Sequence, residues 1–314
     1  MELRQLRSLV AVAECDFSVS RAAQRLHLVQ PAVSHHLKQL EEQLGTELFR
    51  RQGKRLTGLN EIGLRVLGYA REALAATTSI TAIGRDHAGH EADMLRIAAT
   101  HTQARYVLPP VIRRFTADFP EVSLELHQGT PAQLIDMVLR DSVDLAVCTE
   151  GLGEHSDLVA VPCYRWNRCL ITPPHHPVLA RKGLDLEALC AYPLITYVFG
   201  FTGRGSLSRA FAREGLRPRV VLAAADTDVI KTYVREGMGI GIIAAMAYQP
   251  EADADLAQRD LAHLFPWEVT RIAYRRDRYL GRSAQRFIDA FQAETAALQA
   301  TNNGPFNTLR AHDL

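Results

Sequence analysis

The spacing of hydrophobic residues changes once along the chain, and the change separates two kinds of structure. Up to about residue 87, apolar residues recur every three or four positions, which predicts amphipathic helices. From residue 95 onward, short apolar runs alternate with helical stretches, which predicts an α/β fold. The first part also contains a predicted two-strand hairpin around Gln52-Gly53, followed by a long predicted helix over residues 59–85.

Residues 18–44 predict two short helices joined by a tight turn. Pro31 fits the first turn of the second helix, because its missing N–H would have no partner there. Small polar and basic side chains on one face of this helix suit a DNA major groove, and an ordinary helical hairpin with a solvated polar face is the alternative. The opposite, apolar stripe contains Val33, Leu37, Leu40 and Leu44. The polar face contains Gln30, Ala32, Ser34, His35 and Lys38.

The predicted hairpin adds positive charge beside this face. Its cations suit contacts to DNA phosphates, and the residues assigned to that role are Arg50, Arg51 and Lys54. Residues 1–60 hold nine Lys and Arg against six Asp and Glu, an excess of three, while the whole chain carries a net charge of +1. An excess this small does not identify a nucleic-acid-binding protein by itself, so the prediction depends on the helical pattern.

Several phrases of the sequence resemble a known family. Residues 3–67 resemble the winged helix-turn-helix of LysR-type transcriptional regulators, and the sequence segments 30–34 and 40–49 carry most of this resemblance. Four later phrases resemble the CysB branch, the activators of sulfur assimilation and cysteine synthesis. These phrases cover residues 99–110, 162–168, 197–204 and 228–234. The resemblance implies an operator-binding dimer with a linker helix and an effector domain built like periplasmic binding proteins.

The predicted organisation has three parts: a winged helix-turn-helix domain over 1–58, a linker and dimerisation helix over 59–87, and an effector-binding domain over 88–314. In the last part, the order of strands and helices predicts that the chain crosses twice between two α/β lobes. Lobe I is expected to contain residues 94–164 and 268–300, and lobe II residues 165–267. The fold class is therefore α/β with an N-terminal α-helical winged helix-turn-helix and a two-lobed, periplasmic-binding-protein-like effector domain.

One apolar stripe is predicted along the linker helix. Burying it against a second copy of the chain would place two recognition helices on a two-fold operator, and packing against the effector domain is the alternative. The stripe contains Ile62, Val66, Leu67, Ala70, Leu74 and Ile80.

Ligands of two-lobed α/β domains lie beyond the carboxyl ends of strands, where the lobes meet. Thr102 and Thr202 are predicted at helix starts in opposite lobes, where unpaired N–H groups and hydroxyls suit a small anion. Capping of the two helices is the alternative role for these threonines. The CysB resemblance implies that six residues line a pocket for O-acetylserine, N-acetylserine, sulfate or a related sulfur oxyanion. They are Thr100, Thr102, Gln103, Thr149, Trp166 and Thr202.

Other polar groups leave alternatives open. Four charged residues either bridge lobes or protomers, or simply solvate a helix: Asp226, Asp228, Lys231 and Arg235. The glycine-rich stretch 237–241 lacks the Lys-Ser/Thr of a phosphate-binding P-loop, and is explained by tight packing or by a hinge.

The expected partners are double-stranded operator DNA, a small anionic effector, further copies of the chain in a dimer or tetramer, and RNA polymerase if the protein is an activator. No cofactor, metal ion or membrane is expected, and the expected location is the cytoplasm. The sequence contains no nucleophile elbow and no HExxH motif, so an enzyme is not predicted. A regulator of another pathway, such as alkanesulfonate or taurine use, is the alternative, and a DNA-binding domain fused to an enzyme is a remote one.

Overall fold

The computed structural model describes residues 1–53, 55–87, 94–198, 204–300 and 306–307. The chain folds into two compact units, residues 1–88 and 89–314. The predicted segments 1–58 and 59–87 therefore lie in one unit, and the finer boundary at residue 58 stays a prediction. None of the described helices is long and apolar enough to cross a membrane.

The first unit is a three-helix bundle with a β-hairpin and a long helix. Its core is apolar and includes Leu9, Val12, Ala22, Val33, Leu40 and Leu48. Leu44, predicted in the inward stripe, is 41% exposed, because Gly45 ends its helix with a left-handed φ of 67°. The elements are α1 (Leu3–Glu14), α2 (Val19–Arg25), α3 (Gln30–Leu44), β1 (Phe49–Gln52), β2 (Arg55–Leu59) and α4 (Glu61–His87).

Helix α4 begins in close contact with the hairpin. Asn60 caps it by accepting a 2.8 Å hydrogen bond from the N–H of Gly63. A Cβ at Gly63 would collide with the carbonyl oxygen of Leu48, so only glycine allows this approach. The first turn of α4 is therefore fixed against the start of β1.

The single apolar stripe predicted for α4 is wrong. Leu67 and Ala70 are buried in the core of their own unit, and Val66 and Leu74 pack partly against it. This burial follows from the packing of α1 against α4, which the sequence pattern alone does not show. Two residues of the predicted stripe, Ile62 and Ile80, are exposed, together with Leu64, Tyr69 and Ile83, which were not part of it.

Lobe I of the second unit is a six-stranded mixed sheet with the strand order β13-β6-β12-β5-β3-β4. The strand β3 pairs in parallel with β4 and β5, while β12 pairs antiparallel with β5 and β6. The strands are β3 (Met94–Ala99), β4 (Ser123–Gln128), β5 (Leu145–Cys148), β6 (Leu158–Trp166), β12 (Glu268–Arg275) and β13 (Phe306–Asn307). The helices are α5 (Leu108–Asp118), α6 (Pro131–Leu139) and α10 (Arg282–Ala300).

Lobe II is a five-stranded sheet with the order β11-β7-β10-β8-β9. The chain enters it between Trp166 and Arg168 and leaves it between Phe265 and Glu268, so the two predicted crossings are present. Its strands are β7 (Arg168–Thr172), β8 (Leu194–Tyr197), β9 (Val220–Ala224), β10 (Ile240–Ala244) and β11 (Ala257–Asp260). Its helices are α7 (Leu186–Cys190), α8 (Arg204–Arg213) and α9 (Thr227–Arg235).

The strand β10 includes the end of the glycine-rich stretch 237–241. A Cβ at Gly241 would lie 2.6 Å from Cγ1 of Ile171, and one at Gly239 would collide with the carbonyl oxygen of Pro193. The glycines therefore permit close packing of this strand within the sheet. Of the two explanations from sequence, tight packing is the one that the structure supports.

The helical segment that follows β3 begins as a π-helical turn, Gln103–Val107, and continues as α5. Pro109 and Pro110 lack the N–H groups that an α-helix would direct to the carbonyls of Arg105 and Tyr106. The hydrogen-bond ladder is therefore interrupted here, and a wider turn precedes the prolines. Such turns occur frequently at functional sites.

Candidate functional site

Helix α3 presents the predicted DNA-reading residues to solvent. Gln30, Ser34, His35 and Lys38 are exposed, and Ala32 is half-buried. The opposite face of the helix is anchored in the core described above. Because this anchored helix offers short polar and basic side chains on one face, it has the form that a major groove accepts.

His36, which neighbours these residues, points elsewhere. Its Nδ1 lies 2.9 Å from the hydroxyl of Ser8 on α1. Burial lowers the pKa of His36 below its ordinary value, with smaller contributions from Arg4 and His35. His36 therefore fastens α3 to α1 as a neutral side chain.

The cations of the hairpin differ in their surroundings. The guanidinium of Arg51 lies 2.7 Å from the carboxylate of Glu41, which also accepts a 2.8 Å hydrogen bond from the N–H of Leu48. Arg50 is exposed and forms no ion pair with any residue that the structure describes. Lys54 lies outside the described residues. Arg50 is therefore better placed than Arg51 to reach a phosphate.

In lobe I, three predicted effector residues join two others in one hydrogen-bond network. The indole N–H of Trp166 donates to Oγ1 of Thr149, 3.2 Å away, and this oxygen lies 3.2 Å from the hydroxyl of Thr270. Thr270 also accepts a 3.3 Å hydrogen bond from the amide of Gln103, whose oxygen accepts from the hydroxyl of Tyr164. We call these five residues the effector network.

The effector network is held inside the protein. Gln103 is 2% exposed, and Tyr164, Trp166 and Thr270 are fully buried. Burial raises the pKa of Tyr164 well above its ordinary value, so its hydroxyl keeps its proton and acts as a donor. The network is thus a set of neutral donors and acceptors close to the end of β5, where Thr149 follows the strand.

Sequence reasoning missed two members of this network. Tyr164 lies within the matched phrase 162–168, so the resemblance contained a signal for it. No feature of the sequence singled out Thr270, because threonine is common in ordinary strands.

Thr100 and Thr102 lie at the edge of the same region. Thr100 directly follows β3 and is 5% exposed, and its hydroxyl makes no hydrogen bond to any residue that the structure describes. The side chain of Thr102 does not cap the π-helical turn, and it lies close to the hydroxyl of Tyr197 of lobe II. The capping role is therefore not observed for Thr102. Thr202 lies outside the described residues.

Tyr197, at the end of β8, connects Thr102 to lobe II. Its hydroxyl lies 2.6 Å from the hydroxyl of Thr227 and accepts a 3.1 Å hydrogen bond from the N–H of Ala244. Burial raises its pKa to about 12. The two lobes thus meet through uncharged hydroxyls at this point.

A second contact between the lobes uses Asp228 at the start of α9. Its carboxylate accepts a 2.8 Å hydrogen bond from the hydroxyl of Tyr106 and lies 3.2 Å from Nε2 of His101. Burial acts to raise the pKa of Asp228, but the hydrogen bonds from Tyr106 and His101, together with the nearby Lys231 and Arg105, hold the pKa below its ordinary value. Asp228 therefore bridges the lobes, which was one of the two alternatives from sequence.

Of the other three charged residues of that set, Asp226 and Arg235 act within lobe II, while Lys231 also reaches lobe I, with its Nζ 3.4 Å from the hydroxyl of Tyr106. Asp226 caps α9 by accepting a 2.8 Å hydrogen bond from the N–H of Val229. Lys231 forms a buried 2.6 Å ion pair with Asp253, which also pairs with Arg235.

His101, Asp226 and Asp228 also offer possible metal-ligand atoms within 4.8 Å of one another. The same carboxylates are used by the donors already described, and the guanidinium of Arg105 lies 3.6 Å from Asp228. The closeness of these three side chains is therefore explained by the contact between the lobes and does not require a metal ion.

Comparisons with known proteins agree with this arrangement. Residues 3–64 match the family model "Bacterial regulatory helix-turn-helix protein, lysR family", and residues 88–296 match "LysR substrate binding domain". The chain is 42% identical over 303 residues to the HTH-type transcriptional regulator SsuR of Burkholderia cenocepacia, covering 95% of this chain and 98% of that protein. It is 42% identical over 291 residues to the HTH-type transcriptional regulator CysB of Haemophilus influenzae, covering 93% and 90%.

A solved structure with high similarity is the cofactor-binding domain of the Cbl transcriptional regulator. It is 41% identical, with a TM-score of 0.62, and the match covers 64% of this chain and 88% of that one. The predicted fold class and the resemblance to the CysB branch are thereby confirmed. The chain therefore belongs to the LysR-type family, and it is a DNA-binding transcriptional regulator and not an enzyme.

Proposed function

We propose that this regulator controls genes of sulfur assimilation and cysteine biosynthesis in response to a small anion bound between its two α/β lobes. The candidate effectors are the anions N-acetylserine, sulfate and related sulfur oxyanions, and O-acetylserine, which offers a carboxylate beside an ammonium group. The observation that carries the proposal is the effector network, whose donors are neutral and which includes three of the positions that the CysB resemblance implies, Gln103, Thr149 and Trp166. The similarity to CysB supports a role in sulfur assimilation and cysteine biosynthesis.

The predicted contacts to the anion come from hydroxyls, backbone N–H groups and an amide. Hydrogen bonds to an ionised acceptor are stronger than those to a neutral one, so such donors hold a permanently charged oxyanion without a cation. The hydroxyl of Thr100, which has no partner among the described residues, would be available to the ligand. Thr102 would reach the ligand from lobe I and Thr202 from lobe II.

The DNA partner of this proposal is double-stranded operator DNA. The residues proposed to read base edges are Gln30, Ala32, Ser34, His35 and Lys38, and those proposed to contact phosphates are Arg50, Arg51 and Lys54.

A two-fold operator requires two copies of α3, so the chain acts as a dimer or as a tetramer of paired dimers. The exposed apolar residues of α4, including Tyr69, Ile80 and Ile83, are the proposed contact between copies. RNA polymerase is a further partner if the regulator activates transcription.

The identity to SsuR equals that to CysB, at 42% each. The identities therefore do not favour one regulator over the other. The second candidate function is the control of alkanesulfonate or taurine use, with a different effector at the same site.

The test is a thermal-shift screen of the full-length protein with sulfate, thiosulfate, O-acetylserine, N-acetylserine and taurine. A ligand at a hundred times its Kd stabilises the native state by about 2.7 kcal/mol. Calorimetry should then show that Thr100→Ala and Thr102→Ala weaken binding of the active compound roughly ten- to a hundred-fold, since each removes a donor to a charged group.

The control is Thr116→Ala, because this exposed hydroxyl bonds only within its own helix. Wild-type affinity in both site variants would contradict the site. A shift produced by taurine alone would favour the second pathway.

A further inference from the structure

The first residue of lobe II after the crossing from lobe I is a buried arginine. Arg168 is 1% exposed, and its guanidinium lies 5.4 Å from the ring centroid of Trp166 and 5.4 Å from that of Phe265. A guanidinium stacks well on aromatic faces, so the two rings and the cation restrict one another. Trp166 is a member of the effector network, and Arg168 contacts the ring whose N–H serves that network.

The same guanidinium also joins three segments of the chain. Its Nη2 lies 2.8 Å from Oε1 of Glu268 and 2.8 Å from the hydroxyl of Ser206, and Ser206 donates to Glu268 as well. Glu268 is the first residue of β12, directly after the return crossing, and Ser206 lies in the first turn of α8. Arg168 thus ties both crossings to the helix that begins two residues after Thr202.

We propose that Arg168 is a positioning residue for the effector: it fixes the ring of Trp166 in lobe I and the start of α8 in lobe II relative to each other. This inference rests on the proposed effector site between the lobes. It assigns to Arg168 a role in affinity that goes beyond the stability of the fold. A buried ion pair often contributes little net stability compared with an uncharged pair, so the two roles can be separated by experiment.

The first arm measures sulfate and O-acetylserine binding to the full-length protein by calorimetry, beside ligand-free melting temperatures. Arg168→Lys keeps the positive charge near Glu268, but a lysine has no planar group to lie between two rings. The double variant Arg168→Met with Glu268→Gln removes both charges. We expect both variants to melt near the wild-type temperature and to bind the active probe roughly ten-fold or more weakly.

The second arm needs no ligand. The chain contains two tryptophans, Trp166 and Trp267, so Trp267→Phe leaves Trp166 as the only indole emitter. In that background, Arg168→Lys should move the emission of Trp166 to longer wavelength and increase its quenching by acrylamide. Ser206→Ala should weaken probe binding while leaving the emission unchanged. Its matched control on the same helix is Ser208→Ala, which should change neither.

Unchanged emission of Trp166 in Arg168→Lys overturns the proposal, whatever the affinity. Wild-type affinity in both Arg168 variants overturns it too, because a purely structural arginine would leave binding intact once stability is restored. If the wild-type protein binds neither probe, the proposed effectors fail, and the ligand-free emission alone decides whether Arg168 positions Trp166.

Discussion

The DNA-reading surface and the effector network hold their side chains in opposite ways. On α3, the residues predicted to meet bases lie within nine positions of one another and are mostly exposed. In the effector network, Gln103 bonds to Thr270, 167 positions away, and four of the five members are buried. The first surface is a local feature of one helix, while the second exists only after several strands have assembled.

This difference determines how substitutions should act. An exposed side chain on α3 contacts little of its own protein, so its loss should change binding to DNA and leave stability intact. A network residue already bonds to its neighbours before any ligand arrives, so its loss should change stability and effector binding together.

The largest effect is expected from Gln103→Leu. Leucine removes the acceptor of Tyr164 and a donor to Thr270 in a buried site, which should lower the free energy of unfolding by about 1–3 kcal/mol. For a unit of this size, each kcal/mol corresponds to a melting shift of about 2–4 °C. Thermal unfolding without ligand measures it, and Gln128→Leu, the same change at an exposed site on β4, is the control. Equal melting temperatures of the two variants would show that the network contributes nothing to the stability of the protein.

The next effect, of similar size but purely functional, is expected from Ser34→Ala and His35→Ala. Each base contact is worth roughly 1–3 kcal/mol of discrimination, so both variants should bind matched and scrambled operators with more similar affinity. Their melting temperatures should stay at the wild-type value. Quantitative footprinting measures the discrimination, with Gln43→Ala at the far end of α3 as the control. If both variants discriminate between the operators as well as the wild type does, this face of α3 does not read bases.

The smallest expected effect is a difference in the salt dependence of DNA binding between Arg50→Ala and Arg51→Ala. Loss of one phosphate contact reduces the slope of log K against log salt concentration by about one, and this reduction is expected for Arg50→Ala. Arg51→Ala should reduce it less, because Glu41 already engages that guanidinium. Titrations at several salt concentrations measure both slopes. A larger reduction for Arg51→Ala would mean that the Glu41 ion pair opens when DNA binds.

The same contrast explains what the sequence predicts and what it does not. The helices around Pro31 follow from local spacing and turn chemistry, and the structure contains them with a difference at Leu44, where Gly45 ends the helix. Whether a face of α4 is buried depends on α1, which lies far away in the chain, and this is why the predicted stripe was wrong at Leu67 and Ala70.

Three elements of the second unit also depend on features that the apolar pattern alone does not show. The strand β6 contains Pro162, and the roles of Gly239, just before β10, and Gly241, within it, become clear only beside Pro193 and Ile171. The π-helical turn depends on two prolines that follow it. For the effector site, the resemblance supplied Thr149 and Trp166, but no spacing in the sequence brings Thr270 or Arg168 to them.

The position of β12 has a consequence for the order in which the protein is made. This strand consists of residues near the end of the chain, yet it lies between β5 and β6 in the middle of the lobe I sheet. A ribosome releases β5 and β6 long before β12, so both strands carry unpaired edges while lobe II, whose strands end at Asp260, is completed. Because Thr270 and Glu268 also arrive with β12, the effector site is one of the last parts of the nascent protein to form.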